Sequence, residues 1–310
     1  MTIKKIDRIR GAVYGLLVGD ALGVPYEFSR PAEVPKADLI EMTPPLGFDR
    51  AHRGTPAGTW SDDGAQALLL LESLIEHPEL ELEHFGRGLL TWFEKGYMTP
   101  DGRVFDVGMQ TRIGLAELGR GKPAHDCGLR EVSDNGNGAL MRVMPCALLP
   151  AQNRAELVSR ARRQGLPTHG HLRSQLVCAL YTLIADNLVK GHSPTISDAL
   201  WQAIIDLTEL TPAHEQSELT YVLDGQLEPS QGSGYVLDSF WSAVRCVQST
   251  DSYEACVRAA IALGRDTDTT ACIAGGLAGA LYGEQAIPQR WRDTLKGKDI
   301  VEGLLVRIPQ

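Results

Sequence analysis

Ser61-Asp62-Asp63-Gly64-Ala65-Gln66-Ala67-Leu68-Leu69-Leu70-Leu71-Glu72-Ser73-Leu74-Ile75 reads as the start and body of a central helix. From Ala65 to Ile75 the run is apolar on nearly every helical side, the pattern of a helix surrounded by others. Ser61 is a good N-cap, and acidic residues in a first turn complement the helix dipole. Near the other end of the chain the arrangement recurs. Asp266-Thr267-Asp268-Thr269 precedes the apolar run Ala271 to Tyr282. Capping uses one or two side-chain acceptors, and a second carboxylate in the later cluster mainly adds repulsion. Together the clusters bring four carboxylates and at least two hydroxyls, a donor set suited to two hard divalent cations.

The rest of the chain is also helical in period. Ile6, Ile9, Val13, Leu16 and Leu17 form one stripe. Helices are expected at 89–93, 107–118, 139–149, 155–163, 172–188, 196–207, 236–247, 253–263 and 271–281. Leu39 to Met42 and Tyr221 to Leu223 are the only weak strand candidates. Gly275, Gly276 and Gly279 each lower helix propensity by about 1 kcal/mol relative to Ala. Their presence predicts that neighbouring helices pack closely there. Long loops at 24–58 (rich in proline), 96–106 and 119–138 separate the helices, and long loops within a compact domain are often functional. No linker divides the chain. The expectation is one all-α domain over 1–310, its loops converging on one end.

Bulk properties exclude several function classes. The chain has 310 residues, 43% of them hydrophobic and 22% charged, with net charge −9. No basic stripe exists to neutralise phosphates, so nucleic acid is not an expected partner. An anionic ligand would need local help from cations or helix N-termini. Cys127, Cys146, Cys178, Cys246, Cys256 and Cys272 form no C-x-x-C pair and read as buried thiols of a reducing compartment. The N-terminal residues lack an apolar signal segment, and Ala271 to Tyr282 is too short to span a bilayer. A cytoplasmic location without membrane association is expected. Oligomeric state is not legible.

Four motifs then fall in order along the chain. They are Gly11-Ala12-Val13-Tyr14-Gly15-Leu16-Leu17-Val18-Gly19-Asp20-Ala21-Leu22-Gly23 with Pro25, Glu27 and Phe28; Trp60-Ser61-Asp62-Asp63; Gly136-Asn137-Gly138-Ala139-Leu140-Met141-Arg142; and Gly264-Arg265-Asp266-Thr267-Asp268-Thr269. In this order they resemble the ADP-ribosylglycohydrolases across nearly the whole chain. Ser61 stands where that family usually has Thr, Gly64 where it usually has another Thr, and Arg265 where it often has Gly.

The resemblance implies an all-α fold around a binuclear Mg²⁺ site, with Mn²⁺ able to substitute. By position the metal ligands would be Ser61, Asp62, Asp63, Asp266, Asp268 and Thr269. The catalytic group would be Glu27, Asp62 and Asp106. Glu27 would orient or deprotonate a water, where its plain reading is a solvated loop glutamate. Asp20 has a structural role at least as readily as a catalytic one. Asp106 lies in Val104-Phe105-Asp106-Val107-Gly108, which resembles the element of dinitrogenase reductase-activating glycohydrolase and its arginine-directed relatives; an N-cap is its plain alternative. A carboxylate is a natural partner for guanidinium.

Gly136, Asn137 and Gly138 are expected to open a helix whose free N–H groups suit a diphosphate. His169 would contact the nucleotide, with a surface or capping role as the alternative. Tyr235 would stack on adenine or ribose, with a core tyrosine as the alternative. Implied partners are an ADP-ribosylated protein and the product ADP-ribose. The activity implied is hydrolysis of ADP-ribosylarginine. The other readings are serine-linked, O-acetyl or nucleic-acid ADP-ribose as substrate, or a non-catalytic binding relative.

Overall fold

Every fourth residue along one edge of the first helix is glycine: Gly11, Gly15, Gly19 and Gly23. In the computed structural model, which describes residues 3–309, that edge lies against the last long helix. The helices in chain order are α1 (Lys5–Gly23), α2 (Asp62–Glu76), α3 (Leu82–Lys95), α4 (Met109–Gly119) and α5 (Ala124–Cys127). They continue as α6 (Pro145–Leu148), α7 (Arg154–Arg163), α8 (Leu172–Val189), α9 (Ile196–Leu210) and α10 (Gln216–Asp224). The set ends with α11 (Val236–Gln248), α12 (Tyr253–Ala262), α13 (Thr267–Tyr282), α14 (Gln289–Thr294) and α15 (Lys298–Leu305).

Helices α1 and α13 run antiparallel at backbone contact. A methyl group on Gly11, Gly15 or Gly19 would overlap the carbonyl oxygens of Gly279, Gly275 or Ala271. One on Gly23 would collide with the main chain of Thr267 and Asp268. Gly275 and Gly279 are half of this contact, as expected. Arg8 closes the far end by donating to the carbonyls of Ala280 and Leu281 at 2.9 and 2.7 Å. Helix-breaking glycine is thus offset by close helix–helix packing. The consequence for function is positional: the C-terminus of α1 sits directly beside the N-terminus of α13.

Helix α2 is buried along nearly its whole length, as its all-round apolar pattern predicts. It joins the α1–α13 pair through Asp20, whose carboxylate accepts the N–H groups of Ser61 and Gly64 at 2.8–3.0 Å. A carboxylate on one helix therefore satisfies the orphan donors at the start of another. One hydrophobic core extends from α1 through α8 and α13 to α15. All six cysteines are buried and unpaired. Among the described residues no helix is long and apolar enough to cross a membrane.

Three local expectations are corrected. Leu39–Met42 is not a strand; Leu39 ends a 3₁₀ turn, Ala37–Leu39. Tyr221–Leu223 lies inside α10, where Leu219 and Val222 face inward at helical spacing. No helix spans 139–149: the Asn137 carbonyl accepts both Leu140 N–H and Met141 N–H, turns follow, and a short α6 begins at Pro145. Proline has no N–H with which to continue a helix begun upstream and fits a first turn instead. Among the described residues only two isolated β-bridges form, Leu129–His169 and Gly136–Tyr235.

Candidate active site

The N-termini of α2 and α13 open onto a cavity of about 270 Å³. Glu27, Asp62, Asp63, Asp106, Asp266 and Thr269 line one side. Gly136, Asn137, Gly138, His169 and Gly234 line the other. The long loops do converge here: the first supplies Glu27 and His52, the second Asp106, the third the glycine pair.

The acidic side is built from three helix ends. Ser61 caps α2, its Oγ accepting Asp63 N–H at 3.3 Å, and it lies below the cavity wall. Asp62 accepts from Gln66 Nε2 at 3.0 Å. Thr269 Oγ1 donates to Asp63 Oδ1 at 3.3 Å. Asn137 Nδ2 donates to Asp266 Oδ2 at 2.8 Å and thereby links the two sides. Oxygens of Asp20, Asp63 and Asp268 all lie within 4.8 Å of one another, and so do those of Glu27, Asp266 and Asp268. Asp268 belongs to both triads.

Such a cluster is unfavourable by itself. Burial, reinforced by the neighbouring carboxylates, holds Asp62, Asp63 and Asp268 well above the usual carboxylate range. The same causes push Glu27 up to about 11 and Asp106 up to about 9. Burial raises Asp20 to about 7 against the pull of its N–H donors. Asp63 Oδ2 and Asp268 Oδ2 are buried without a hydrogen-bond partner. Unpartnered buried carboxylate oxygens, in an all-oxygen donor set, fit a hard divalent cation.

Glu27 is buried, not a solvated loop glutamate. It pairs with His52 Nε2, which lies 4.0 Å from Asp106 Oδ1. The His52 ring packs between Phe28 and Phe105, with centroids 5.7 and 5.0 Å away. Asp106 is not an N-cap. Gly108 holds that position for α4, and Asp106 takes a left-handed φ of 56° that turns its side chain into the cluster.

On the glycine side of the cavity the expectation of free N–H groups is corrected in part. Gly136 N–H donates to Gln110 Oε1 and Asn137 N–H to the Gly234 carbonyl, both at 3.1 Å. The glycines answer to crowding instead: a Cβ on Gly138 would come within 2.7 Å of His169 Cε1, and one on Gly136 within 2.8 Å of Gln110 Oε1. His169 is buried beneath the glycines and Nδ1 meets Thr168 Oγ1 at 2.8 Å. Burial, then the charge of Arg142, hold its imidazole neutral, down at about 3. His171, two residues on, caps α8. Tyr235 is neither core nor part of this cavity. It lines an adjoining one of about 220 Å³ with Tyr221 and Trp241, and its hydroxyl accepts from Arg173 at 3.0 Å.

Sequence reasoning missed His52, Gln66, Gln110 and Thr111. His52 sits among prolines with no period to mark it. Gln66 is the lone polar residue between Ala65 and Leu71, which was a usable signal. Arg265, beside the second cluster, donates to the Gln231 carbonyl at 2.6 Å and stays at the surface.

Comparison with known proteins agrees with the all-helical fold. The family model described as ADP-ribosylglycohydrolase matches residues 1–309. ADP-ribosylarginine hydrolase Tri1 of Serratia proteamaculans (strain 568) is 30% identical over 305 residues, covering 97% of this chain and 78% of that protein. The ADP-ribosyl-dinitrogen reductase glycohydrolase of Rhodospirillum rubrum is 28% identical, covering 94% and 91%. ADP-ribosylhydrolase ARH3 of Danio rerio is 25% identical, covering 99% and 91%. A solved structure titled ADP-ribosylglycohydrolase-related protein complex superposes with a TM-score of 0.78 at 29% identity, covering 99% and 98%. With the motifs, the helical fold and the acidic cavity already in place, the match over the full length makes this chain a member of the ADP-ribosylglycohydrolase family.

Proposed function

We propose that this protein hydrolyses the glycosidic bond between ADP-ribose and a modified arginine side chain of a protein, with two Mg²⁺ at the acidic cluster. The observation that carries the reading is the pair of carboxylate triads sharing Asp268, with unpartnered oxygens on Asp63 and Asp268. Asp62, Asp63, Asp266 and Asp268 would hold the ions, with the hydroxyls of Ser61 and Thr269 beside them; Mn²⁺ would substitute. When bound, such ions fix a ribose diol and lower the pKa of water.

The chain's own groups do the rest. Glu27 accepts a proton from the water that attacks the anomeric carbon, and His52 orients its carboxylate. Asp106 holds the guanidinium that departs, through charge-assisted hydrogen bonds. The bond from the anomeric carbon to the guanidine nitrogen breaks, that nitrogen gains a proton, and ADP-ribose is released. Gly136, Asn137, Gly138 and His169 form the wall for the nucleotide, and Tyr235 in the adjoining cavity stacks on adenine or ribose. The name of the dinitrogen reductase relative favours a protein substrate, and that of the Tri1 relative favours arginine.

The test is release of ADP-ribose from two carrier proteins, one modified on arginine and one on serine. Turnover of the arginine-linked carrier at least tenfold faster is expected. Preference for the serine-linked carrier would overturn the arginine assignment and leave ADP-ribose hydrolysis standing.

A further inference from the structure

Arg142 is 0% exposed and its guanidinium meets no carboxylate. Its partners are all neutral. Nη1 donates to Gln66 Oε1 at 2.6 Å. Nε donates to Gln164 Oε1 and Nη2 to the Gln164 carbonyl, both at 3.0 Å. Nη2 also donates to Thr168 Oγ1 at 2.8 Å. A Phe85 ring lies 5.4 Å from its Cζ. An unpaired buried charge is costly unless every donor is used and opposite charge lies nearby. Here the acidic cluster is the nearby charge, one side chain away.

The partners form a continuous chain. On one side Gln66 passes the contact to Asp62, donating through Nε2 at 3.0 Å while its Oε1 faces Arg142. This fixes which way the amide points, and hence which Asp62 oxygen is left for the cavity. On the other side Thr168 Oγ1 meets His169 Nδ1 at 2.8 Å, which leaves Nε2 beneath Gly136 and Gly138. Gln164 closes the network by donating from Nε2 to the Ala139 carbonyl at 3.0 Å, directly after the glycines. The planar fork of arginine reaches these partners at once; lysine has no such fork.

We infer that Arg142 is a positioning residue that sets both halves of the cavity, Asp62 on the metal side through Gln66 and His169 on the nucleotide side through Thr168. This rests on the reading of the cavity as a site for divalent cations and ADP-ribose. It assigns distinct work to two side chains that touch neither ligand. Groups that orient metal ligands from behind are commonly worth about tenfold or more in metal affinity.

The experiment is calorimetric titration of Mg²⁺ alone, then of ADP-ribose at saturating Mg²⁺, into wild type, Gln66→Met, Thr168→Val and Arg142→Lys. Gln66→Met is expected to weaken Mg²⁺ about tenfold and to leave ADP-ribose affinity within about twofold. Thr168→Val is expected to do the reverse, and Arg142→Lys to weaken both. A purely structural role would lower melting temperature without this division. If Gln66→Met and Thr168→Val both bind the two ligands like wild type, or each weakens both equally, the inference fails. Should Arg142→Lys not fold, the other two variants still decide. Wild type that binds neither ligand would instead remove the reading of the cavity itself.

Discussion

Asp20 Oδ2 accepts the main-chain N–H of Gly64 at 2.8 Å, so a carboxylate near the end of α1 holds the first turn of α2. The same carboxylate takes the Ser61 N–H. Both donors are buried, and the cavity residues Asp62 and Asp63 lie between them. Asp20→Ala leaves these N–H groups unsatisfied. It should lower stability by about 2–4 kcal/mol, read as a shift in the denaturation midpoint. A variant as stable as wild type would show that α2 needs no anchor from α1.

The glycine edge of α1 makes a second stability prediction. Gly19→Ala would drive a methyl group into the Ala271 carbonyl, where main chain must move. Destabilisation of about 1–3 kcal/mol or more is expected, with weaker Mg²⁺ binding, because the displaced segment carries Asp268. Gly303→Ala is the control. It lies exposed in α15 with open space around it, and alanine there should be neutral or stabilising by up to about 1 kcal/mol.

Most of the helices, and the two acidic clusters at the cavity, were legible because helical period and carboxylate–hydroxyl runs are local signals. The partnership of α1 with α13 was half legible. Gly275 and Gly279 announced a close contact, but the matching edge on α1 became clear only when the two helices were seen side by side. The helix expected over 139–149 failed because its apolar residues are buried by turns, with Arg142 drawn inward to Gln66, Gln164 and Thr168. Glu27 and Asp106 were identified by motif, whereas their company with His52 depends on long loops whose path leaves no periodic trace.

Removal of metal should make stability depend on pH in a set direction. Folding raises Glu27 from 4.5 to about 11, Asp106 from 3.8 to about 9 and Asp20 from 3.8 to about 7. A raised carboxyl pKa means that the folded state holds its proton more tightly than the unfolded chain. Stability is therefore lost as pH climbs above the unfolded values and through the folded ones. The metal-free protein should melt several degrees lower at pH 8 than at pH 5. Saturating Mg²⁺ should abolish that fall, since binding releases the protons. Identical profiles with and without metal would contradict the cluster's role.

Asp106→Ala should slow arginine-linked turnover by about a hundredfold or more, the scale of a lost proton-handling or charge-stabilising group. Folding should survive, because Asp106 is partly exposed at the cavity rim. Steady-state kinetics on the arginine-modified carrier would check this. Undiminished turnover would remove Asp106 from the reaction.

On the proposed reading, ADP-ribose cleavage requires divalent cations held by Asp62, Asp63, Asp266 and Asp268. The most direct test is release of ADP-ribose from an arginine-modified protein by the purified chain, first with chelator and then with increasing Mg²⁺. No release is expected with chelator, and full recovery as Mg²⁺ is added. Equal release in chelator would contradict this reading.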